Sequence, residues 1–164
     1  SGLYSYTKRF SALCHFFLGS VLGLAPLAGW LAVSPVVELA PVLLALGVTF
    51  WVGGFDILYA CQDVEFDRSE GLHSLPALLG VGPVLAVSTF SHVVASLFFL
   101  LAGWASGAGL VYLAFSLAVA VILLLEHRLI SEHDMSRVNL AFFTLNGFVA
   151  VFLFAGAVLD TVLG

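Results

Sequence analysis

From Ser74 to Leu125 the chain carries no Asp, Glu, Lys or Arg. A helix needs about 20 mostly apolar residues to cross a bilayer, so this run is long enough for two crossings. The glycine-rich segment 103–109 divides the run, which predicts an antiparallel pair of membrane helices. With 62% hydrophobic and 9% charged residues, the chain is far from the soluble average of about 25% charged residues. We therefore expect an integral membrane protein.

Three further apolar stretches complete the prediction of an all-α, polytopic helical membrane bundle with five transmembrane helices. They run from about Phe10 to Val33, Leu39 to Ala60 and Asn139 to Leu159. Residues 1–164 are predicted to form a single membrane domain. In the first stretch, Gly19 and Gly23 have the small-xxx-small spacing that favours close helix packing. His15 and His92 are isolated within their spans, and we expect each to be hydrogen-bonded locally.

The basic residues all fall on one face of the predicted bundle. They are Lys8, Arg9, Arg68, Arg128 and Arg137. Because cytoplasmic loops carry an excess of Lys and Arg, this face is predicted to be cytoplasmic. The segment from Gly54 to Pro76, which holds five of the ten acidic residues, lies on the same face. The few basic residues and the net charge of −5 give no support for nucleic-acid binding.

The acidic segment is the predicted functional site. Asp63 and Asp67 are four residues apart, so on a continuous helix they lie on one face, with Cβ atoms about 5 to 6 Å apart. Two carboxylates at that distance repel, which favours protonation of one or capture of a divalent cation. Mg²⁺ commonly takes one or two carboxylates and completes its shell with water and substrate phosphates. The spacing predicts diphosphate binding through Mg²⁺, with solvated loop acids as the alternative.

Other residues on this face are candidates for the same site. Asp56 lies two helical turns before Asp63, and it either pairs with a residue on another helix or positions or deprotonates a substrate. Tyr4, Lys8 and Arg9 are placed to grip a phosphate. The alternative for Lys8 and Arg9 is a role as topological anchors at the end of a span.

Polar residues near the last two spans also have two interpretations. Asn146 is either a packing contact between helices or a substrate contact. The stretch from Glu126 to Arg137 contains His127, His133 and Asp134, and it is either a solvated loop or a site where His and acidic ligands bind a metal.

The stretch from Gln62 to Pro76, QDVEFDRSEGLHSLP, closely resembles the second aspartate-rich motif of the UbiA family of membrane prenyltransferases. Asp56 and Tyr59 fit the residues that precede this motif in the family. The segment from Tyr4 to Arg9 resembles the family's Tyr-x-x-x-Lys-Arg segment, and Asn146 falls where related sequences carry an asparagine in the last helix. The motif looks most like that of bacterial 4-hydroxybenzoate polyprenyltransferases and their relatives in ubiquinone and menaquinone biosynthesis.

The resemblance implies the last five helices of a nine-helix fold, which surrounds a cavity open to the cytoplasm and to the lipid bilayer. It implies Mg²⁺-dependent transfer of a prenyl group from a polyprenyl diphosphate to an aromatic acceptor such as 4-hydroxybenzoate, in the bacterial inner membrane. Asp63 and Asp67 would bind the metal, and with Asp56 and Lys8 they would form the catalytic set. The residues implied to bind substrate are Tyr4, Arg9, Tyr59, Arg68, His73 and Asn146.

The family's first motif, N-x-x-x-D-x-x-x-D, does not occur in this sequence. We therefore expect the chain to be the C-terminal portion of such an enzyme and to be inactive alone, with the N-terminal helices in the same gene product or in a separate chain. Two other functions remain as alternatives. A membrane cation or proton transporter would use Asp56, Asp63 and Asp67 as an ion path, and a non-catalytic membrane partner would use none of them.

Overall fold

The computed structural model describes residues 7–130, 138 and 141–163, and every regular element in these ranges is a helix. The predicted all-α fold is therefore confirmed. The main helices are α1 (Cys14–Leu31), α2 (Leu39–Ala60), α3 (Val64–Ser69), α4 (Leu75–Leu79), α5 (Val81–Ser106), α6 (Leu110–Leu129) and α7 (Asn146–Leu163). A 3₁₀ turn, Cys61–Asp63, joins α2 to α3, and a π-helical turn, Ala141–Leu145, precedes α7.

Five helical stretches in the described ranges are long and apolar enough to cross a membrane, as the hydropathy pattern predicts. They are Cys14–Leu31, Leu39–Ser69, Val81–Ser106, Leu110–Arg128 and Phe143–Leu163. The glycine-rich segment 103–109 separates α5 from α6, because Gly107 adopts a left-handed conformation (φ 72°) that ends α5. The predicted antiparallel pair is thus observed.

α1 and α2 pack closely through small residues, as the glycine spacing predicts. A Cβ at Gly19 would clash with the carbonyl oxygen of Thr49, and a Cβ at Gly23 would clash with the Thr49 side chain. The backbones approach because neither glycine has a side chain to hold them apart. This contact brings the start of α1 against the second half of α2, where the acidic segment begins.

α5 packs on the other side of α2. Ser88 Oγ donates a hydrogen bond of 2.6 Å to the carbonyl oxygen of Gly54, and Phe99 packs against Gly47. Phe99 belongs to a buried apolar cluster that also contains Val119 of α6 and Val149 of α7. The central helix α2 is therefore held on both sides, and its C-terminal end is fixed relative to α1 and α5.

α6 and α7 are joined at the opposite end of the bundle. Asp160 of α7 accepts hydrogen bonds from the backbone N–H groups of Gly109 (2.7 Å) and Tyr112 (3.1 Å) at the start of α6. A carboxylate at a helix N-terminus satisfies donors that have no partner within the helix. This end of the bundle therefore carries a structural acid, whereas the acidic segment with Asp56, Asp63 and Asp67 lies at the other end.

Candidate functional site at the end of the second span

Asp67 is the most constrained acidic residue of the segment. It is fully buried (0% exposed), and its Oδ2 atom lies 2.8 Å from Lys8 Nζ. Ser74 Oγ donates a second hydrogen bond, of 2.6 Å, to the same oxygen. Oδ1 has no hydrogen-bond partner within the part of the chain that the structure describes. Because a buried carboxylate oxygen is normally hydrogen-bonded, Oδ1 is an unused acceptor that suits a ligand.

The loop after α3 brings Lys8 and Ser74 to this carboxylate. Gly71 has a positive φ of 64°, which turns the chain back over α3. The His73 N–H then donates to the carbonyl oxygen of Lys8 at 2.8 Å. Ser74 also accepts a hydrogen bond of 3.3 Å from the Ala77 N–H at the start of α4. The backbone hydrogen bond between His73 and Lys8 therefore attaches the N-terminal segment to the acidic motif.

A cavity of about 810 Å³ opens beside this pair. Its lining combines cationic, acidic and apolar side chains: Lys8, Arg9, Asp63, Phe66, Asp67, Glu70, Gly71 and Leu72. Asp63 and Asp67 line the same cavity, as the predicted one-face arrangement requires, although a 3₁₀ turn at Asp63 interrupts the α-helix. Asp63 is exposed while Asp67 is buried, so the two carboxylates have different environments.

Asp56 pairs with a residue of another helix. Its Oδ2 atom lies 2.6 Å from Nδ1 of His15, which is fully buried in α1. Nε2 of His15 accepts a hydrogen bond of 3.3 Å from the Leu75 N–H. The expectation that His15 bonds locally is therefore wrong, because its two partners lie 41 and 60 residues away. Asp56 is not among the residues that line the 810 Å³ cavity.

Three of the residues predicted to bind substrate, Tyr59, Arg68 and His73, are not among the residues that line the cavity. Arg68 Nε donates to the carbonyl oxygen of Ala77 at 2.9 Å, and this bond joins α3 to α4. Tyr59 is half-buried and packs against a cluster that contains Leu58. Tyr4 lies outside the described residues.

Asn146 has a structural partner inside the bundle. Its Oδ1 atom accepts a hydrogen bond of 2.7 Å from Trp51 Nε1, which links α7 to α2. Trp51 itself packs edge-on against Phe99, with ring centroids 6.3 Å apart. This contact matches the packing interpretation of Asn146, and it places the partly buried amide between α7 and α2.

A second polar cluster lies inside the membrane region, between α5 and α6. His92 Nε2 lies 3.2 Å from the carbonyl oxygen of Trp51, and His92 Nδ1 lies 3.0 Å from His127 Nε2. Glu126 is also fully buried. The local bonding expected for His92 is therefore wrong, and so is the solvated loop at Glu126 and His127. His133 and Asp134 lie outside the described residues, and within those residues no group of three side chains is arranged to hold a metal.

These features define a polytopic membrane protein with a polar site at one end of its second span. Comparison with known proteins gives the family. Residues 1–156 match the UbiA prenyltransferase family, and the chain belongs to it. The prediction made from the aspartate motif is confirmed.

Individual relatives agree with this assignment. The chain is 31% identical over 159 residues to a 4-hydroxybenzoate octaprenyltransferase of Aromatoleum aromaticum, which covers 97% of this chain and 53% of the relative. It is 29% identical over 160 residues to the enzyme of that name from Herminiimonas arsenicoxydans, covering 98% and 56%. The chain thus spans about half the length of the curated relatives it matches.

A solved structure has the same fold. The apo structure of a UbiA homolog from Aeropyrum pernix K1 superposes with a TM-score of 0.82 at 34% sequence identity. The match covers 96% of this chain and 59% of that chain. The five-span bundle therefore corresponds to part of a larger helical fold.

Proposed function

We propose that this chain forms the diphosphate-binding part of an Mg²⁺-dependent aromatic prenyltransferase, which transfers a polyprenyl group to 4-hydroxybenzoate or a similar acceptor. The observation that carries the proposal is the buried Asp67 carboxylate, which is held by Lys8 and has one oxygen without a hydrogen-bond partner among the described residues. Asp67 lines the same cavity as Asp63. The names of the relatives support a prenyl donor and an aromatic acceptor.

Asp63 and Asp67 are the residues that would hold Mg²⁺. Hard divalent cations prefer carboxylate oxygens, and the carboxylates of Asp63 and Asp67 belong to residues that line one cavity. Oδ1 of Asp67 has no hydrogen-bond partner among the described residues, so it is the oxygen of that residue that would bind the ion. When bound, the metal neutralises charge on the diphosphate and so favours its departure. The donor set therefore fits the ion that the family resemblance implies.

Lys8 and Arg9 supply fixed positive charge in the same cavity. Both line it, and Lys8 is already oriented by its contact with Asp67. Cations held in place stabilise the negative charge that develops on the leaving diphosphate without further reorganisation. The bond between the allylic carbon and the diphosphate oxygen breaks, and the electron pair leaves with the diphosphate.

The acceptor side of the reaction is assigned to Asp56 and Tyr59. A ring carbon of the acceptor forms the new bond to the allylic carbon, and the proton on that ring carbon then passes to water, which restores the aromatic ring. Asp56 lies within α2, whereas Asp63 lies in the 3₁₀ turn that follows the helix. Asp56 is therefore farther from the end of the span than Asp63 and Asp67, the residues proposed to bind the metal and the diphosphate. This order along the helix suits an acceptor that sits between the membrane interior and the diphosphate.

In the cell, we propose that the enzyme lies in the bacterial inner membrane with the acidic segment in the cytoplasm, where it serves ubiquinone or menaquinone synthesis. Since the relatives are about twice as long, further helices in the same polypeptide or in a separate chain would complete the site. The chain alone is then inactive.

Substitution of the two carboxylates tests the proposal. In the complete gene product, Asp63→Asn and Asp67→Asn should each lower Mg²⁺-dependent transfer to 4-hydroxybenzoate by roughly 100-fold or more, because each removes charge that stabilises the transition state. The matched control is Glu65→Gln, an exposed acid of the same motif outside the cavity lining, which should retain activity. Full activity in either aspartate variant would contradict the proposal. Cation flux through proteoliposomes without a prenyl substrate would favour a transporter instead.

A further inference from the structure

His15 lies where α1 meets α2, next to the acidic segment but outside the lining of the 810 Å³ cavity. Its imidazole is fully buried, and both ring nitrogens have polar partners. Nδ1 lies 2.6 Å from Asp56 Oδ2, and Nε2 lies 3.3 Å from the backbone nitrogen of Leu75. A buried imidazole with both nitrogens engaged is held in one orientation, so the contact with Asp56 is directional.

The partners of His15 assign its tautomer. A backbone N–H can only donate, so Nε2 must carry the lone pair that accepts the hydrogen bond from Leu75. The proton of a neutral imidazole then lies on Nδ1 and is donated to Asp56 Oδ2. An imidazolium would instead point an N–H at the N–H of Leu75. The geometry therefore corresponds to a neutral imidazole that donates to a carboxylate.

The junction between the loop and α4 holds both functional acids. Leu75, which fixes His15, directly follows Ser74, whose hydroxyl donates to Asp67 Oδ2 at 2.6 Å. Asp67 is therefore held by Ser74, the residue before α4, and Asp56 is held through His15 by Leu75, the first residue of α4. Two adjacent residues set the position of Asp56 relative to Asp67, although the two acids lie on different helices.

We propose that His15 is a positioning residue, which orients the Asp56 carboxylate toward the aromatic acceptor and sets its place relative to Asp67. The inference rests on the proposed function, in which Asp56 seats the acceptor. A carboxylate that is already oriented loses less conformational freedom when the acceptor binds. Loss of the His15 hydrogen bond weakens acceptor binding, whereas diphosphate binding at Asp67 stays the same.

Two substitutions of His15 separate positioning from packing. Gln offers an amide N–H to Asp56 and an amide oxygen to Leu75, whereas Leu offers neither. In the complete gene product, His15→Leu should raise the KM for the aromatic acceptor roughly tenfold or more and change the KM for the polyprenyl diphosphate by less than about twofold. His15→Gln should stay within about threefold of the unsubstituted protein for both substrates. Equal impairment by Gln and Leu, or an equal rise of both KM values, would overturn the proposal.

His92 provides the matched control. It is a second buried histidine within a membrane helix, with 2% of its surface exposed, and it contacts the carbonyl oxygen of Trp51 and the ring of His127. His92→Leu should lower the stability of the protein but leave the acceptor KM unchanged. A rise of the acceptor KM as large as that of His15→Leu would overturn the proposal, because any buried histidine would then have the same effect.

A spectroscopic measurement tests the contact without any turnover. In protein labelled with ¹⁵N-histidine and embedded in bilayers, the signals absent from His15→Gln belong to His15. We expect a protonated Nδ1 and an unprotonated Nε2, both shifted in Asp56→Asn. The proposal would be overturned if Nε2 rather than Nδ1 were protonated, or if the His15 signals did not shift in Asp56→Asn.

The two measurements keep this inference distinct from the proposed function. If the unsubstituted protein transfers no prenyl group to any aromatic acceptor, the proposed function and the acceptor role of Asp56 both fail. The expected tautomer and its response to Asp56→Asn would still support the orientation of Asp56 by His15.

Discussion

At the scale of single residues, the site depends on one buried negative charge. The Asp67 side chain is 1% exposed and that of Lys8 is 14% exposed, so the pair is largely removed from water. A buried charge without its partner is strongly destabilising, whereas removal of both charges often costs little. The Lys8 ammonium therefore has a structural role before any substrate binds, in addition to its proposed role with the diphosphate.

Lys8→Met should lower the free energy of unfolding by about 3 kcal/mol, because it leaves the Asp67 carboxylate buried without a counter-charge. The double variant Lys8→Met/Asp67→Asn should recover most of that loss while it remains inactive. Reversible unfolding in mixed detergent micelles measures the free energy of unfolding of the single and the double variant.

The neighbouring Arg9 is the control for this pair, since it lines the same cavity but is exposed. Arg9→Gln should change the free energy of unfolding by less than about 0.5 kcal/mol. If the double variant is no more stable than Lys8→Met, the ion pair is not what makes Lys8 important for stability.

At the scale of helices, the spans were predictable but their polar contacts were not. The charge-free run from Ser74 to Leu125 predicts two membrane helices, because each crossing takes about 20 apolar residues and a helix satisfies its own backbone hydrogen bonds. The contact between His15 and Asp56 depends on how α1 and α2 pack, which hydropathy does not describe. One signal was available: an acid inside a span needs a partner, and His15 is the only histidine or charged residue of α1.

The burial of Glu126 and the partial burial of His127 were missed for a related reason. They begin a polar stretch, which is typical of a loop that leaves the membrane, yet α6 continues to Leu129 and His127 contacts His92 of α5. The aspartate motif, by contrast, was readable because its chemistry lies within a few residues of sequence. The cavity that joins the motif to Lys8 and Arg9 depends on the fold, and the family resemblance supplied that expectation.

Gly19 tests the link between helix packing and the site. A Cβ there would clash with the backbone of α2, and this clash cannot be relieved by rotation of a side chain. Gly19→Ala should therefore push α1 away from α2 and cost about 1 to 3 kcal/mol. His15 lies one turn earlier on the same helix, so the variant should also impair activity. Unfolding in micelles measures the loss of stability, and the prenyl-transfer assay measures the loss of activity.

Gly29 provides a control on the same helix, because a Cβ at that position has no atom within 4 Å. Gly29→Ala should be neutral or stabilise the protein by up to about 1 kcal/mol, since alanine favours the helix. Equal destabilisation by the two substitutions would mean that the glycines act through helix flexibility and not through close packing.

At the scale of the whole molecule, charge is distributed unequally between the two ends of the bundle. Lys8, Arg9 and Arg68 lie at the end that carries the acidic motif, whereas the connection between α5 and α6 and the carboxylate of Asp160 lie at the other end. Lys and Arg are retained on the cytoplasmic side during insertion, so the motif should face the cytoplasm. The diphosphate head group of a membrane-embedded donor would then lie at the cytoplasmic face, where the cavity opens.

Single cysteines report this orientation in intact cells, because the native Cys14 and Cys61 are buried. Glu38→Cys, before α2, and Ser106→Cys, at the end of α5, are both at exposed positions and should react with a membrane-impermeant maleimide added outside. Glu65→Cys, exposed beside the aspartate motif, should react only after the membrane is opened. The reverse pattern would place the motif outside the cell and exclude a cytoplasmic diphosphate as its ligand. Labelling at all three positions without permeabilisation would contradict a single orientation, and with it the argument from the distribution of Lys and Arg.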